Sequence, residues 1–193
     1  MKIGEIINRV IEAIGKGPEN DDINLEKERI YNKLVSVRNM LLKQIANQSL
    51  VLDKENYSNI CLELEQKDDA CFSYAKIPDI LFTNSGYMLD IPNASYVNFA
   101  IFLSMSNNTK YGDVYSIYNG YLYMITSKKK VEISAVLENP YSEYLCNFDK
   151  CRAIYDFDFR VQSDLIDKIV EISLQEFTIQ TIEDETDSSN QNR

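Results

Sequence analysis

Hydrophobic residues in this chain keep one period, change to a second and then return to the first, and that double change limits the fold more than any other feature. Ile3, Ile6, Ile7, Val10, Ile11 and Ile14 recur at the spacing of one helical face. They predict a helix over residues 2–16, stopped by Gly17-Pro18. The polar run Glu19-Asn20-Asp21-Asp22 then supplies caps for a second helix over residues 25–48, striped by Ile30, Leu34, Val37, Leu41 and Ile45. Tyr31, Val35 and Leu42 widen that stripe, so the second helix is expected to touch neighbours on two sides.

From Tyr57 the period falls to two. Ile60, Leu62 and Leu64 alternate with Cys61, Glu63 and Glu65, as in a strand with one wet face. Further strands are expected over 96–105, 114–118, 121–125 and 131–137, the middle two joined by Asn119-Gly120, a strong hairpin signal. Asn139-Pro140 ends the sheet. Pro78 and Pro92 bracket a stretch with Phe82, Asn84-Ser85-Gly86 and Tyr87 that reads as a loop or irregular hairpin. The helical period then returns with Ser163 as N-cap, Asp164 and Asp167 in the first turn, and Leu165, Ile166, Ile169, Val170, Ile172 and Phe177 along residues 164–178.

The expected fold class is α+β, as one domain over 1–193. A helical bundle, two N-terminal helices plus a C-terminal helix in 1–49 and 141–182, carries an inserted antiparallel β module over 57–137. Residues 183–193 form an acidic tail with no core-forming pattern, expected to be disordered unless bound.

Composition narrows the function. Apolar residues at 45% and charged residues at 26% are those of an ordinary folded protein. No apolar run reaches the roughly 20 residues that span a bilayer, and the N-terminus lacks a signal peptide's apolar stretch, so a cytoplasmic chain is expected. Thirty acidic against twenty basic residues give a formal charge of −10, which repels nucleic-acid phosphates and anionic membranes. The chain contains no histidine, which removes Ser-His and Cys-His pairs and imidazole metal sites. None of the six glycines falls in a phosphate-cradling array. The expectation is a protein that is not an enzyme, needs no cofactor or metal, and works by docking.

Four features leave alternatives open. Cys61, Cys71, Cys146 and Cys151 are an even number that invites a disulfide framework or a zinc site. A chain this long with a full core and no export signal has little need of disulfides, so the cysteines read as small buried hydrophobes, with the Cys-x4-Cys pair Cys146 and Cys151 as the zinc alternative. Asp156 and Asp158 lie two apart in an extended stretch, where both carboxylates would reach a hard cation. Alternatively Tyr155, Phe157 and Phe159 face the core and the aspartates face water, with Arg160 as ion partner. Lys128-Lys129-Lys130 reads as a solvated strand edge. Thirteen tyrosines, several of them around the hairpin at Tyr115, Tyr118, Tyr121 and Tyr123, serve either the sheet or an interface.

The order of elements, together with Glu28-Arg29-Ile30-Tyr31-Asn32-Lys33-Leu34-Val35, Asn119-Gly120-Tyr121-Leu122-Tyr123 and Ser173-Leu174-Gln175-Glu176-Phe177, resembles the head-to-tail connector proteins of tailed bacteriophages, above all the ring or adaptor proteins of crAss-like podoviruses. The resemblance implies a homo-oligomeric ring, a dodecamer, under the portal protein and joined to other tail or ring proteins. It extends a channel through which DNA passes without specific binding. It places the chain in the virion at the head-tail junction after assembly in the host cytoplasm, with no membrane contact. The C-terminal segment would grip the portal through Phe177, Ile179 and Ile182, with 178–182 extended as a strand or hook. Tyr31, Val35, Leu42, Tyr118 and Tyr121 are the expected subunit-interface residues. Two other classes remain as alternatives: a carboxylate-metal hydrolase around Asp156 and Asp158 with Glu143 or Asp149, and a small regulatory module that takes a partner strand on the hairpin edge.

Overall fold

The computed structural model describes residues 1–14, 23–48, 52–66, 71–83, 86–105 and 113–190. In chain order its elements are α1 (Ile3–Ala13), α2 (Ile23–Asn47), β1 (Ser58–Glu63), β2 (Glu65–Gln66), β3 (Ser73–Lys76), β4 (Phe82–Thr83), β5 (Gly86–Tyr87), β6 (Leu89–Asp90), β7 (Ser95–Tyr96), α3 (Phe99–Met105), β8 (Val114–Tyr118), β9 (Tyr121–Ile125), β10 (Lys130–Ala135) and α4 (Ser163–Asn190). The fold is α+β, and the chain divides into a unit made of Met1–Asn56 with Cys151–Arg193 and a unit made of Tyr57–Lys150.

In the first unit, α1, α2 and α4 pack on one another. Ile3, Ile6, Ile7 and Val10 bury the expected face of α1, each contributing about 1.5–3 kcal/mol over an exposed position. The residues around Lys2 pair antiparallel with the stretch around Asp158: Ile3 N–H donates to Phe157 O at 2.9 Å and Phe159 N–H to Met1 O at 3.0 Å. Gly4 lets α1 lie close to this stretch, since a Cβ there would sit 3.1 Å from Tyr155 O. Arg9 reaches Asp167 at 2.7 Å and Lys33 pairs with Glu176, tying α1 and α2 to α4. Buried Asn56 donates to Gln162 Oε1 at 2.9 Å and accepts from Gln162 N–H at 3.0 Å.

Lys2 Nζ lies 2.8 Å from Asp158. Its hydrogen bond, the largest cause, holds the Asp158 carboxyl below the usual carboxylate range. A depressed carboxylate stabilises the fold above its unfolded pKa near 3.8, and that contribution is lost as pH falls below this value and through the lower pKa of the folded state. Both side chains are about half exposed, so Asp158→Asn should cost under about 1 kcal/mol at neutral pH. Urea titrations of variant and parent should converge once acid has protonated the carboxylate; a gap that persists in acid would rule the ion pair out as its source.

In the second unit, β1-β10-β6 form one sheet, β2-β3-β9-β8-β7 another, and β4-β5 a short ribbon. The inward residues of the two larger sheets share one core: Ile60 and Leu62 of β1, Val131 and Ile133 of β10, Ile117 of β8, and Leu122 and Met124 of β9. The hairpin between β8 and β9 turns at Asn119 (φ 50°) and Gly120 (φ 76°), the left-handed pair that matches strand twist. Phe102 of α3 is buried with Val114 and Ile125 on the opposite face of the five-stranded sheet.

Several expectations are corrected. Residues 96–105 are not one strand: after β7 the chain enters α3. Asn98 caps it, accepting Ala100 N–H on Oδ1 at 3.0 Å and Phe102 N–H on its carbonyl at 2.8 Å. Residues 141–150, expected with the helices, belong to the second unit, where Leu145 bridges to Ile60 and Cys146 is disulfide-bonded to Cys61. That bond overturns the expectation that the chain has little need of disulfides, and with it the reading of these two cysteines as small hydrophobes and the Cys146/Cys151 zinc pair. Cys71 and Cys151 are exposed thiols, not buried ones. α4 runs to Asn190, so 178–182 are helical where an extended hook was expected, and the helix continues through 183–190 of the expected disordered tail. Continuing the helix keeps each amide paired within the segment. Gly17-Pro18, the linker at 19–22 and Asn84-Ser85 lie outside the described residues.

Candidate functional site

The outer face of the five-stranded sheet is the most distinctive surface of the second unit, and strand alternation produces it. Leu122 and Met124 of β9 point into the core, which sends Tyr121 and Tyr123 outward beside Tyr74 of β3 and Tyr118 of β8. Phe99 of α3 stacks on Tyr118 with centroids 4.4 Å apart and planes 4° apart, and meets Tyr123 at 4.9 Å. Tyr121 continues the array to Tyr74 at 6.1 Å. Such pairs add about 0.5–1.5 kcal/mol each beyond area burial. The array is therefore a pre-ordered aromatic surface and not a set of loose side chains.

Only part of it is covered. Tyr118 and Tyr121, which flank the hairpin turn, keep 48% and 37% of their surface exposed. Tyr96 of β7 and Ile101 and Leu103 of α3 are exposed apolar residues on the same unit. Glu65 accepts a hydrogen bond from the Tyr74 hydroxyl and pushes its pKa up. A shallow groove of about 490 Å³ borders the array, with Glu63, Glu65, Lys76, Tyr121 and Tyr144 among its walls. Lys130 holds Glu63 at 2.6 Å and Lys128 holds Asp113 at 2.7 Å, so these lysines act in ion pairs and not as a free basic patch. Rigid tyrosines with hydroxyl handles and a rim of paired charges favour contact with protein.

The other residues singled out from sequence fall elsewhere. Tyr31 and Leu42 are buried inside the first unit and present no surface to a neighbour, while Val35 is half-buried. Phe177 is half-buried with the Arg29 guanidinium 5.8 Å from its ring, so α4 is held to α2 at this point. The side chains of Ile179 and Ile182 lie outside the described residues. Asp156 and Asp158 are exposed while Phe157 and Phe159 are buried, and Asp158 forms its ion pair with Lys2, with the Arg160 charge as a smaller influence on the same carboxyl. Among the described residues no group of three or more acidic, cysteine or histidine side chains is placed to hold a metal ion, and no helix is long and apolar enough to cross a membrane.

Sequence reasoning missed Arg38, which is fully buried on α2. Its Nε donates to Arg160 O at 2.7 Å and its Nη1 to Asn39 Oδ1 at 2.8 Å. Burial lowers its pKa to about 10, so it stays charged at neutral pH. The signal was present: Arg38 lies four residues from both Leu34 and Leu42, inside the apolar stripe.

No curated protein matches the chain. The family model described as phage tail ring protein 2, of the crAss ring type, matches residues 5–193.

Proposed function

The chain belongs to the crAss-type phage tail ring protein 2 family, and from that premise we propose that it is a head-to-tail adaptor: a homo-oligomeric ring that docks beneath the portal and continues the DNA channel toward the tail. The family match over residues 5–193 carries this reading. The exposed aromatic array supports it, because a ring requires a surface that a neighbouring copy can cover. Tyr118 and Tyr121 are the subunit contacts, with Val35 as a lesser one. The acidic balance suits a conduit, since a negative lumen lets DNA slide without adhering. Twelve copies, a wall built by the helical bundle, and contact with other tail or ring proteins complete the reading. The ring acts without a cofactor and without catalysis, in the virion after assembly in the host cytoplasm.

The portal contact is assigned to the C-terminal part of α4, with Ile179 and Ile182 as anchors and Phe177 at its base. Truncation after Phe177 tests this more cleanly than an earlier cut, because it keeps the Glu176–Lys33 pair and the Phe177–Arg29 contact. Loss of a segment that only docks changes stability by under about 0.5 kcal/mol. The truncated protein should melt as the full chain does and fail to form a shared particle with the portal protein in mass photometry at micromolar concentration. A truncated chain that still joins the portal as well as the full chain would remove the assignment. The ring itself is tested by electron microscopy of the portal complex; a one-to-one heterodimer in place of a closed ring would sink it.

A further inference from the structure

β1 has two edges, and they are covered very differently. Its register with β10, together with Leu64 N–H donating to Lys129 O at 2.8 Å, directs the amides and carbonyls of Ile60 and Leu62 to β10 and those of Asn59, Cys61 and Glu63 the other way. On that second edge a short strap at 142–148 supplies one bridge, Ile60 to Leu145. Cys61 N–H donates to Tyr144 O at 3.0 Å and Cys146 N–H to Asn59 O at 3.1 Å. The ladder goes no further, because Ser142 turns the strap away: its hydroxyl takes Tyr144 N–H at 3.3 Å and its carbonyl takes Leu145 N–H at 3.2 Å. Tyr144 and Leu145 are only partly buried against the core. The Cys61–Cys146 disulfide, with Cα atoms 4.9 Å apart, closes the strap at this one bridge, and Cys61 is on the exposed side of β1.

We infer that the Cys61–Cys146 disulfide is a redox latch that holds the 142–148 strap on the free edge of β1, and that a thiol reductant opens this strap while the β1-β10 pairing stays intact. A small thiolate attacks the exposed Cys61 sulfur, forms a mixed disulfide with it and expels Cys146 as a thiolate, which takes a proton from water. A second thiolate attacks the mixed disulfide and releases Cys61, likewise protonated. One protein disulfide is thus reduced to two thiols as two small thiols are oxidised to their disulfide. The strap is then held to β1 by the backbone hydrogen bonds of its one bridge and by Tyr144 and Leu145 against the core, with no covalent tie. The edge it leaves exposes the Asn59 carbonyl and the Cys61 amide, while the β10 side of β1 keeps its whole ladder.

The test is amide hydrogen exchange on the full chain at room temperature, oxidised and then in excess dithiothreitol, with Cys71→Ser and Cys151→Ser in place to prevent reshuffling through the exposed thiols. In the reduced protein the Cys61 and Cys146 amides should exchange about tenfold or more faster than those of Ile60, Leu62, Val131 and Ile133, and without the denaturant dependence of global unfolding, while the ladder amides keep that dependence and accelerate only as global stability falls. Cys146→Ala should show the accelerated pattern without reductant. Unchanged exchange at Cys61 and Cys146 would overturn the inference. So would exchange at Cys61 and Cys146 in the reduced protein at the same rate and with the same denaturant dependence as at Ile60 and Val131, which would make the bond a staple for the whole sheet and not a latch on one edge.

Discussion

Cys146→Ser should lower the melting temperature of the oxidised protein by roughly 10–20 °C, which is what a loss of about 2–4 kcal/mol does to a domain of this size. The reason lies in the unfolded chain. Cys61 and Cys146 are 85 residues apart in sequence, so their bond closes nearly the entire second unit into one loop. In the chain-entropy picture a loop of that length removes up to about 4.5 kcal/mol of unfolded-state freedom, and measured disulfides usually deliver somewhat less. Cys61→Ser should give the same loss, and dithiothreitol should destabilise the parent but leave either variant unmoved. Calorimetry that places Cys146→Ser within a degree or two of the oxidised parent would show that the loop is closed in the unfolded state by something other than this bond.

That bond also shows where sequence reading stops. Its two cysteines meet because 142–148 folds back across the edge of β1, and no local pattern encodes a pairing over such a separation. The β8–β9 hairpin is the opposite case: Asn119-Gly120 lies between two apolar runs, and everything that sets its register is within a dozen residues. The buried face of α1 was equally legible, since Ile3, Ile6, Ile7 and Val10 repeat at a spacing that only a helix brings together. α3 misled because Val97, Phe99, Ile101 and Leu103 alternate as a strand does; Asn98, a capping residue before Phe99 and Phe102, was the cue that outweighed them. The aromatic array could be guessed as tyrosine content but not as a surface. Which tyrosines stay open depends on where α3 lies across the sheet; of the array, Tyr118, Tyr121 and Tyr123 stand out in the sequence around the hairpin, and Tyr74 does not.

Arg38→Ala should destabilise the first unit by about 3–5 kcal/mol, close to the effect of emptying a large apolar core position. Two costs combine. The side chain is fully buried, so truncation leaves a cavity among Leu34, Leu42 and their neighbours on α2. The Arg160 carbonyl also loses the donor that reaches it at 2.7 Å, a part-buried hydrogen bond worth about 0.5–1.5 kcal/mol. Removing a desolvated charge gives some of this back, so Arg38→Met, which restores volume without the hydrogen bonds, should cost clearly less than alanine. Arg160 precedes the start of α4 by three residues, so this one side chain on α2 fixes where the last helix leaves the extended stretch that pairs with the N-terminus. In the adaptor reading, the same contact sets the direction in which α4 presents its far end to the portal. Urea denaturation should therefore rank parent, Arg38→Met and Arg38→Ala in descending stability. An alanine variant within about 1 kcal/mol of the parent would mean that neither the cavity nor the Arg160 carbonyl goes unfilled, and that Arg38 is dispensable to the seating of α4.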